Sequence, residues 1–267
     1  MKKIKLDVYT LLKKIRDTKP VVHHLTNWVT IYDCANIIKV IGASPVMSHA
    51  KEEVAEMARL ASSLVLNIGT LDREFIESMK IAAVSANQKG IPVVLDVCGA
   101  GATQFRDKKS FELLDEAGID IIKGNVSEIA RICGEDIRTR GVDAAEVVKD
   151  MIGLAKELAR KRECIVVVTA KDDIVTDGSK TYVIKNGHPM MPSIVGTGCM
   201  AASIIGAFAA VEHDLVYASA AALVCFEVAA ECAVKKSSGP GTFKEKLFDC
   251  IFHLDKKILD KMQKIEA

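Results

Sequence analysis

The chain has 267 residues, 49% hydrophobic and 27% charged, and 36 basic side chains against 35 acidic ones leave a formal net charge of +1. That composition excludes a disordered or fibrous chain. With no block of like charge, it also excludes a dedicated nucleic-acid binder or a polybasic membrane clamp, which both need a concentrated positive field.

In chain order, Met1-Lys2-Lys3-Ile4-Lys5-Leu6-Asp7 is basic but has no apolar stretch or cleavage site behind it, so no signal peptide is expected. His23 and His24 follow Val22; as neighbours in a strand they face opposite sides and cannot share a metal. Strand-like apolar runs then alternate with helical stretches. Leu64 to Ile68 stops at Gly69, Ile91 to Val97 at a glycine-rich turn, Ile119 to Lys123 at Gly124, and Cys164 to Thr169 follows a long helical segment. Continuous apolar strands separated by helices predict βαβ units and an α/β fold with a mostly parallel sheet covered on both faces. Ile174-Val175-Thr176 and Thr181 to Ile184, joined by Asp177-Gly178-Ser179, read as a hairpin.

From Cys199 onward the pattern is helical, broken at Glu212-His213-Asp214 and at Ser237 to Gly241. Leu215 to Val234 is long enough to span a bilayer, but Glu227 and Glu231 punctuate it and predict a buried core helix. There is no linker, repeat or low-complexity stretch, so one domain over residues 1–267 is expected. Eight scattered cysteines without a C-x-x-C pair read as free thiols in a reducing compartment, hence the cytoplasm.

Ligands of open parallel sheets bind outside the carboxyl ends of the strands. Asn67, Asp96, Lys123 and Thr169 all fall there. Each alone is an ordinary cap or turn residue, but four together indicate a site. Asp96 to Thr103 is either a tight turn or a phosphate loop; Gln104 spoils the dinucleotide fingerprint, and no P-loop sequence exists.

Gly196-Thr197-Gly198-Cys199 runs straight into an apolar helix. It is either a close-packed strand–helix connection or a place where main-chain N–H groups and the helix dipole meet a phosphoryl group. In the second reading Cys199 stands in the first turn, where the thiolate is favoured. Asn125 and Glu128 are spaced as a capping box. A carboxylate at 128 is equally suited to magnesium beside a phosphate chain.

Together these segments resemble the hydroxyethylthiazole kinase family. The resemblance is carried by Val22-His23-His24-Leu25-Thr26-Asn27, Gly42-Ala43-Ser44-Pro45-Val46-Met47, Leu66-Asn67-Ile68-Gly69-Thr70-Leu71, Asp96 with Gly99-Ala100-Gly101-Ala102-Thr103, Lys123-Gly124-Asn125 with Glu128, Gly141-Val142-Asp143, Gly196-Thr197-Gly198-Cys199 and Gly239-Pro240-Gly241-Thr242-Phe243. It implies a ribokinase-like three-layer α/β/α fold. It also implies ATP- and Mg²⁺-dependent phosphorylation of the alcohol of 4-methyl-5-(2-hydroxyethyl)thiazole in thiamine salvage, by a homotrimer with its sites at subunit interfaces.

Carried over by position, Met47 and Gly196 would contact the thiazole, with Asn27 and His23 lining the substrate side. Lys123, Thr169 and Asn125 would serve ATP, Asp96 and Glu128 magnesium, and Gly198 and Cys199 the transfer itself. Two positions depart from the family pattern: Val97-Cys98 replaces Pro-Val, and Ala170 stands where glycine is frequent. A related kinase of hydroxymethylpyrimidine, an ADP-dependent nicotinamide-hydrate dehydratase and a non-catalytic nucleotide binder are the rival readings.

Overall fold

The predicted apolar runs lie side by side in the computed structural model, which describes residues 1–135 and 144–267. The Gly141-Val142-Asp143 match lies outside the described residues. Six parallel strands form the centre: β2 (Val21–Leu25), β3 (Ser44–Val46), β4 (Ser63–Asn67), β5 (Val93–Asp96), β6 (Ile121–Asn125) and β7 (Ile165–Thr169). The hairpin β8 (Asp173–Thr176) and β9 (Thr181–Ile184) then extends the sheet antiparallel. Two short terminal strands, β1 (Lys3–Ile4) and β10 (Ile265–Glu266), complete the order β1-β10-β9-β8-β7-β6-β5-β4-β2-β3.

The pleat sorts each apolar run between two cores. Val22, Val65, Val94, Ile121 and Val167 enter one core, with α1 (Val8–Thr18), α2 (Ile31–Ile41), α8 (Thr197–Ala209), α9 (Leu215–Val234), α10 (Pro240–Phe252) and α11 (Lys256–Met262). Leu64, Leu66, Leu95, Ile122 and Val166 enter the other, with α3 (Val54–Leu60), α4 (Arg73–Lys89), α5 (Gln104–Glu116), α6 (Val126–Ile132) and α7 (Ala144–Arg162). Helices thus cover both faces, as expected. α9 has the apolar length of a membrane span, but most of it is buried between neighbouring helices and the sheet.

Two details differ from the sequence reading. β6 continues through Gly124 and Asn125, because these pair with Val168 and Thr169 of β7. β1 and β10, two residues each, are too short to show an alternating pattern and exist by pairing with each other and with β9. Register then does the positional work: Asn67 lies beside Asp96, Asp96 beside Lys123, and Asn125 beside Thr169, at one edge of the sheet. The chain leaves β2 for β3 on one side and returns to β4 on the other, so the sheet opens at β2/β4, where ligands of such sheets bind.

Candidate active site

Outside those strand ends a cavity of about 380 Å³ is lined by Asn27, Asp96, Lys123, Asn125, Glu128, Thr169, Gly196, Gly198 and Cys199. Nine of the eleven positions carried over from the family resemblance therefore converge. The other two, His23 and Met47, stand outside the lining. His23 is fully buried, with Nε2 2.8 Å from the Ser48 carbonyl, and burial holds its pKa low. It thereby pins the segment just after Met47, which follows the edge strand β3 and is half-buried.

One hydrogen-bond chain crosses the cavity floor. Thr30 gives its hydroxyl to Asn27 Oδ1 (3.0 Å), Asn27 Nδ2 donates to Asn67 Oδ1 (2.9 Å), and Asn67 Nδ2 donates to Asp96 Oδ2 (2.7 Å). Lys123 Nζ closes it, 3.3 Å from Asp96 Oδ1. The second hydrogens of the two amides both point at one sulfur, Cys199 Sγ, at 3.3 Å from Asn27 and 3.4 Å from Asn67. Every amide hydrogen and oxygen of this pair is used, which fixes both side chains and aims them.

These groups set the charge of the site. A hydrogen bond from the Cys98 thiol, with Thr30, Lys123 and Asn27 adding to it, brings the Cys199 thiol down to about 5 against the opposing effect of burial. Cys98 is driven upward as the donor of that pair. Burial raises Asp96 to about 7 against the attraction of Lys123. Lys123 is pushed down by burial, but Asp96, Glu128 and Cys199 together hold it above its ordinary value, so the ammonium stays charged. One cation thus stands among three acidic groups.

The cavity wall opposite the strand ends is the mouth of α8. Gly196 precedes it at φ +98°, a left-handed conformation that glycine adopts without strain. Among the described residues no side chain caps this helix, so the first-turn N–H groups remain for a ligand. Gly198 brings the backbone close: a Cβ there would stand 3.2 Å from Lys123 Nζ. A negative group at this mouth meets amides and an ammonium together.

Asp96 and Glu128 are the oxygen donors available to a divalent cation. Glu128 closes the expected capping box, accepting from the Asn125 N–H at 2.7 Å, and its other oxygen accepts from Gly99 N–H at 2.8 Å. Among the described residues no three His, Cys, Asp or Glu side chains cluster to hold a metal. Two hard carboxylates on an anion cavity fit an ion that keeps waters and phosphate oxygens, the habit of magnesium, rather than a closed protein cage.

Sequence reasoning missed Thr30 and Cys98. Thr30 follows Asn27 by three residues, the spacing at which an Asn side chain meets a turn N–H. Cys98 differs from the family pattern, yet its side chain faces the cavity.

The Hydroxyethylthiazole kinase family model matches residues 12–257. A protein named hydroxyethylthiazole kinase from Methanosarcina mazei is 54% identical over 96% of this chain and 98% of its own. The solved structure of hydroxyethylthiazole kinase from Pyrococcus horikoshii OT3 superposes with a TM-score of 0.90 at 39% identity, over 97% of this chain and 98% of that one. A ribokinase-like superfamily protein of Enterococcus faecalis, 13% identical with a TM-score of 0.65 over 94% and 98% of the two chains, shares the fold alone.

Proposed function

The chain belongs to the hydroxyethylthiazole kinase family, and from that premise we propose that it transfers the γ-phosphoryl group of ATP to the hydroxyethyl group of 4-methyl-5-(2-hydroxyethyl)thiazole. The observation that carries the reading is the uncapped mouth of α8, with Gly198 against Lys123 on one side and Cys199 held by two asparagines on the other.

In this reading the phosphates lie on the amides after Gly196, with Lys123, Asn125 and Thr169 alongside. Charge developing on the moving phosphoryl group meets donors that are already in place, so little reorganisation is needed. Asn27 and Gly196 line the acceptor side, and the substrate hydroxyl lies near Cys199 in line with the phosphorus. Asn27 and Asn67 fix the sulfur, and a thiolate there accepts the hydroxyl proton late in a loose transition state. Asp96 and Glu128 would hold magnesium through its waters, and the ion would supply charge neutralisation to the phosphates there.

Met47 does not line this subunit's cavity. We assign it to the acceptor pocket of an adjoining subunit in a homotrimer, held in place through the His23–Ser48 contact. Val29 and Val195, at the cavity, are 68% and 70% exposed, an apolar rim that a second copy would cover. The pairing of β1 with β10 in the same sheet as the central strands supports one kinase domain over residues 1–267. Eight free thiols support a reducing cytoplasm. A coupled assay of ADP release with the thiazole alcohol, run with and without Mg²⁺, tests the reading. Turnover with this alcohol, and none with hydroxymethylpyrimidine, is the expected result; the reverse preference assigns the protein to the sibling kinase.

A further inference from the structure

One side chain outside the cavity lining is tied to both halves of its floor. Arg106, half-buried in the first turn of α5, donates to three main-chain carbonyls. Its Nη1 gives hydrogen bonds to Ile68 at 2.8 Å and to Cys98 at 3.1 Å, and Nη2 gives one to Gly69 at 2.8 Å. These acceptors lie in the two loops that follow β4 and β5. The approach is close: a Cβ at Gly99, which has φ +80°, would stand 3.0 Å from Nη1. A planar guanidinium meets several acceptors at fixed angles, which a compact ammonium does not.

The far ends of the same peptide groups are also engaged. The Ile68 carbonyl and the Gly69 N–H belong to one peptide group, and that N–H donates to Asn67 Oδ1 at 2.9 Å. Asn67 in turn donates to Asp96 Oδ2 and to Cys199 Sγ. The Cys98 carbonyl and the Gly99 N–H share a peptide group in the same way, and Gly99 donates to Glu128 Oε1 at 2.8 Å. A peptide group is planar, so holding its oxygen fixes the direction of its N–H. A cation on the oxygen also polarises the group and strengthens the bond that the N–H donates. A single nitrogen of Arg106 therefore stands behind two polar side chains of the site, Asn67 and Glu128.

We propose that Arg106 is a positioning residue for phosphoryl transfer: through one peptide group it sets the Asn67 amide that holds the Cys199 sulfur, and through another it sets the Glu128 carboxylate. The inference rests on the kinase reading above, which makes that sulfur and that carboxylate neighbours of the moving group. Arg106 touches neither the substrate nor the metal. Its loss leaves both N–H donors free to turn, so the acceptor end of the site and the end proposed for magnesium loosen together.

Arg106→Ala and Arg106→Lys, each read with and without millimolar guanidinium, decide it. Isotopic labelling of the glycine nitrogens follows the Gly69 and Gly99 amides by NMR in the protein free of metal and nucleotide. Both signals should shift in Arg106→Ala, and guanidinium should return both while leaving the wild type unchanged. In turnover of the thiazole alcohol, kcat should fall and the Mg²⁺ concentration for half-maximal rate should rise, each by about 10–100-fold, the range for groups that orient a metal ligand. Guanidinium should restore both in Arg106→Ala and neither in Arg106→Lys, whose ammonium fills the space without spanning two carbonyls. A merely structural loss would lower the melting temperature without this paired rescue. Unmoved glycine signals overturn the inference, as does movement of one without the other, or a fall in kcat that leaves the Mg²⁺ requirement unchanged. If Arg106→Ala does not fold, Arg106→Lys should still move both signals, and its failure to do so counts equally against the anchor. A wild type that does not phosphorylate the alcohol sinks the kinase reading, and the glycine signals then still test the anchor. Wild-type turnover matched by Arg106→Ala sinks this inference alone.

Discussion

In the proposed transfer Cys199 lies beside the substrate hydroxyl, and its environment makes separable claims. As a thiolate above about pH 5 it should alkylate with iodoacetamide at pH 6. Burial pushes Cys164 and Cys225 up to about 12, and these should stay unmodified. Peptide mass spectrometry gives the ratio, and ATP with the thiazole alcohol should slow the labelling. Two amide donors and Lys123 would receive a carboxylate as well as a sulfur, so Cys199→Asp should keep turnover or raise it. Complete loss of activity in a folded Asp variant would count against the placement of the hydroxyl. The backbone should matter more than the sulfur. Valine at 198 forces a Cβ against Lys123 Nζ, so Gly198→Val should cost more in kcat than Cys199→Ser, on the order of the 10²–10³-fold seen when one oxyanion donor is lost. Lys123 itself is a poor probe: removing it leaves Asp96 buried and unpaired, a stability cost of about 3–5 kcal/mol that would blur any kinetic effect. The cluster was legible because polar side chains at the ends of apolar strands are few, and the strand register brings them together. Cys98 and Arg106 were not legible. Among eight cysteines and many basic side chains, only three-dimensional proximity picks out one of each.

α8 carries Cys199 and α9 carries Glu227, and each helix is held by a feature the sequence shows only faintly. α8 lies so close on the sheet that a Cβ at Gly206 would be 2.4 Å from Val65 Cγ2. Gly206→Ala should force the helix outward at a cost of about 1–3 kcal/mol, the scale of overpacking. A melting temperature lower by roughly 2–10 °C is the expected reading. The helix mouth moves with it, so kcat should fall too; an unchanged kcat would mean that helix position and chemistry are uncoupled. α9 was readable as a helix from its length, but an all-round apolar surface carries no periodicity to say which face meets which neighbour. Glu227 is only 6% exposed, and burial pushes its carboxyl up, which gives a pH test of that burial. The native state holds a proton at Glu227 that the unfolded chain releases above about 4.5. The unfolded state therefore binds fewer protons there, and this residue lowers stability progressively as pH rises above 4.5. Glu227→Gln removes that dependence. Its melting temperature should match the wild type near pH 4 and exceed it by a growing margin up to pH 8. A constant margin would place the proton elsewhere.

The architecture as a whole follows from buried apolar central strands that need helices on both faces, which is why the fold could be read from alternation alone. What alternation cannot give is the assembly, because apolar side chains look the same in a core and across an interface. The structure adds exposure. Tyr32 is 76% exposed and Val29 68%, on the segment that leads from Asn27 into α2, while Trp28 packs on His49 and Phe75 beside them. Val195, 70% exposed, flanks the same cavity from the other side. Apolar groups gathered around a polar cavity leave it half-walled, and in the proposed trimer Met47 at the β3 edge would wall a neighbour's. A second copy supplying that wall accounts for both. Tyr32→Glu puts a charge into such a contact without touching the hydrogen-bond chain of the floor. Sedimentation should then show a species of three chains in the wild type and a single chain in the variant. KM for the thiazole alcohol should rise at least tenfold while KM for ATP changes little, because the residues proposed for ATP, Lys123, Asn125 and Thr169, all line a cavity of a single subunit. A wild type that sediments as a single chain at full activity, or a dissociated variant with its thiazole KM intact, would mean that each subunit completes its own site.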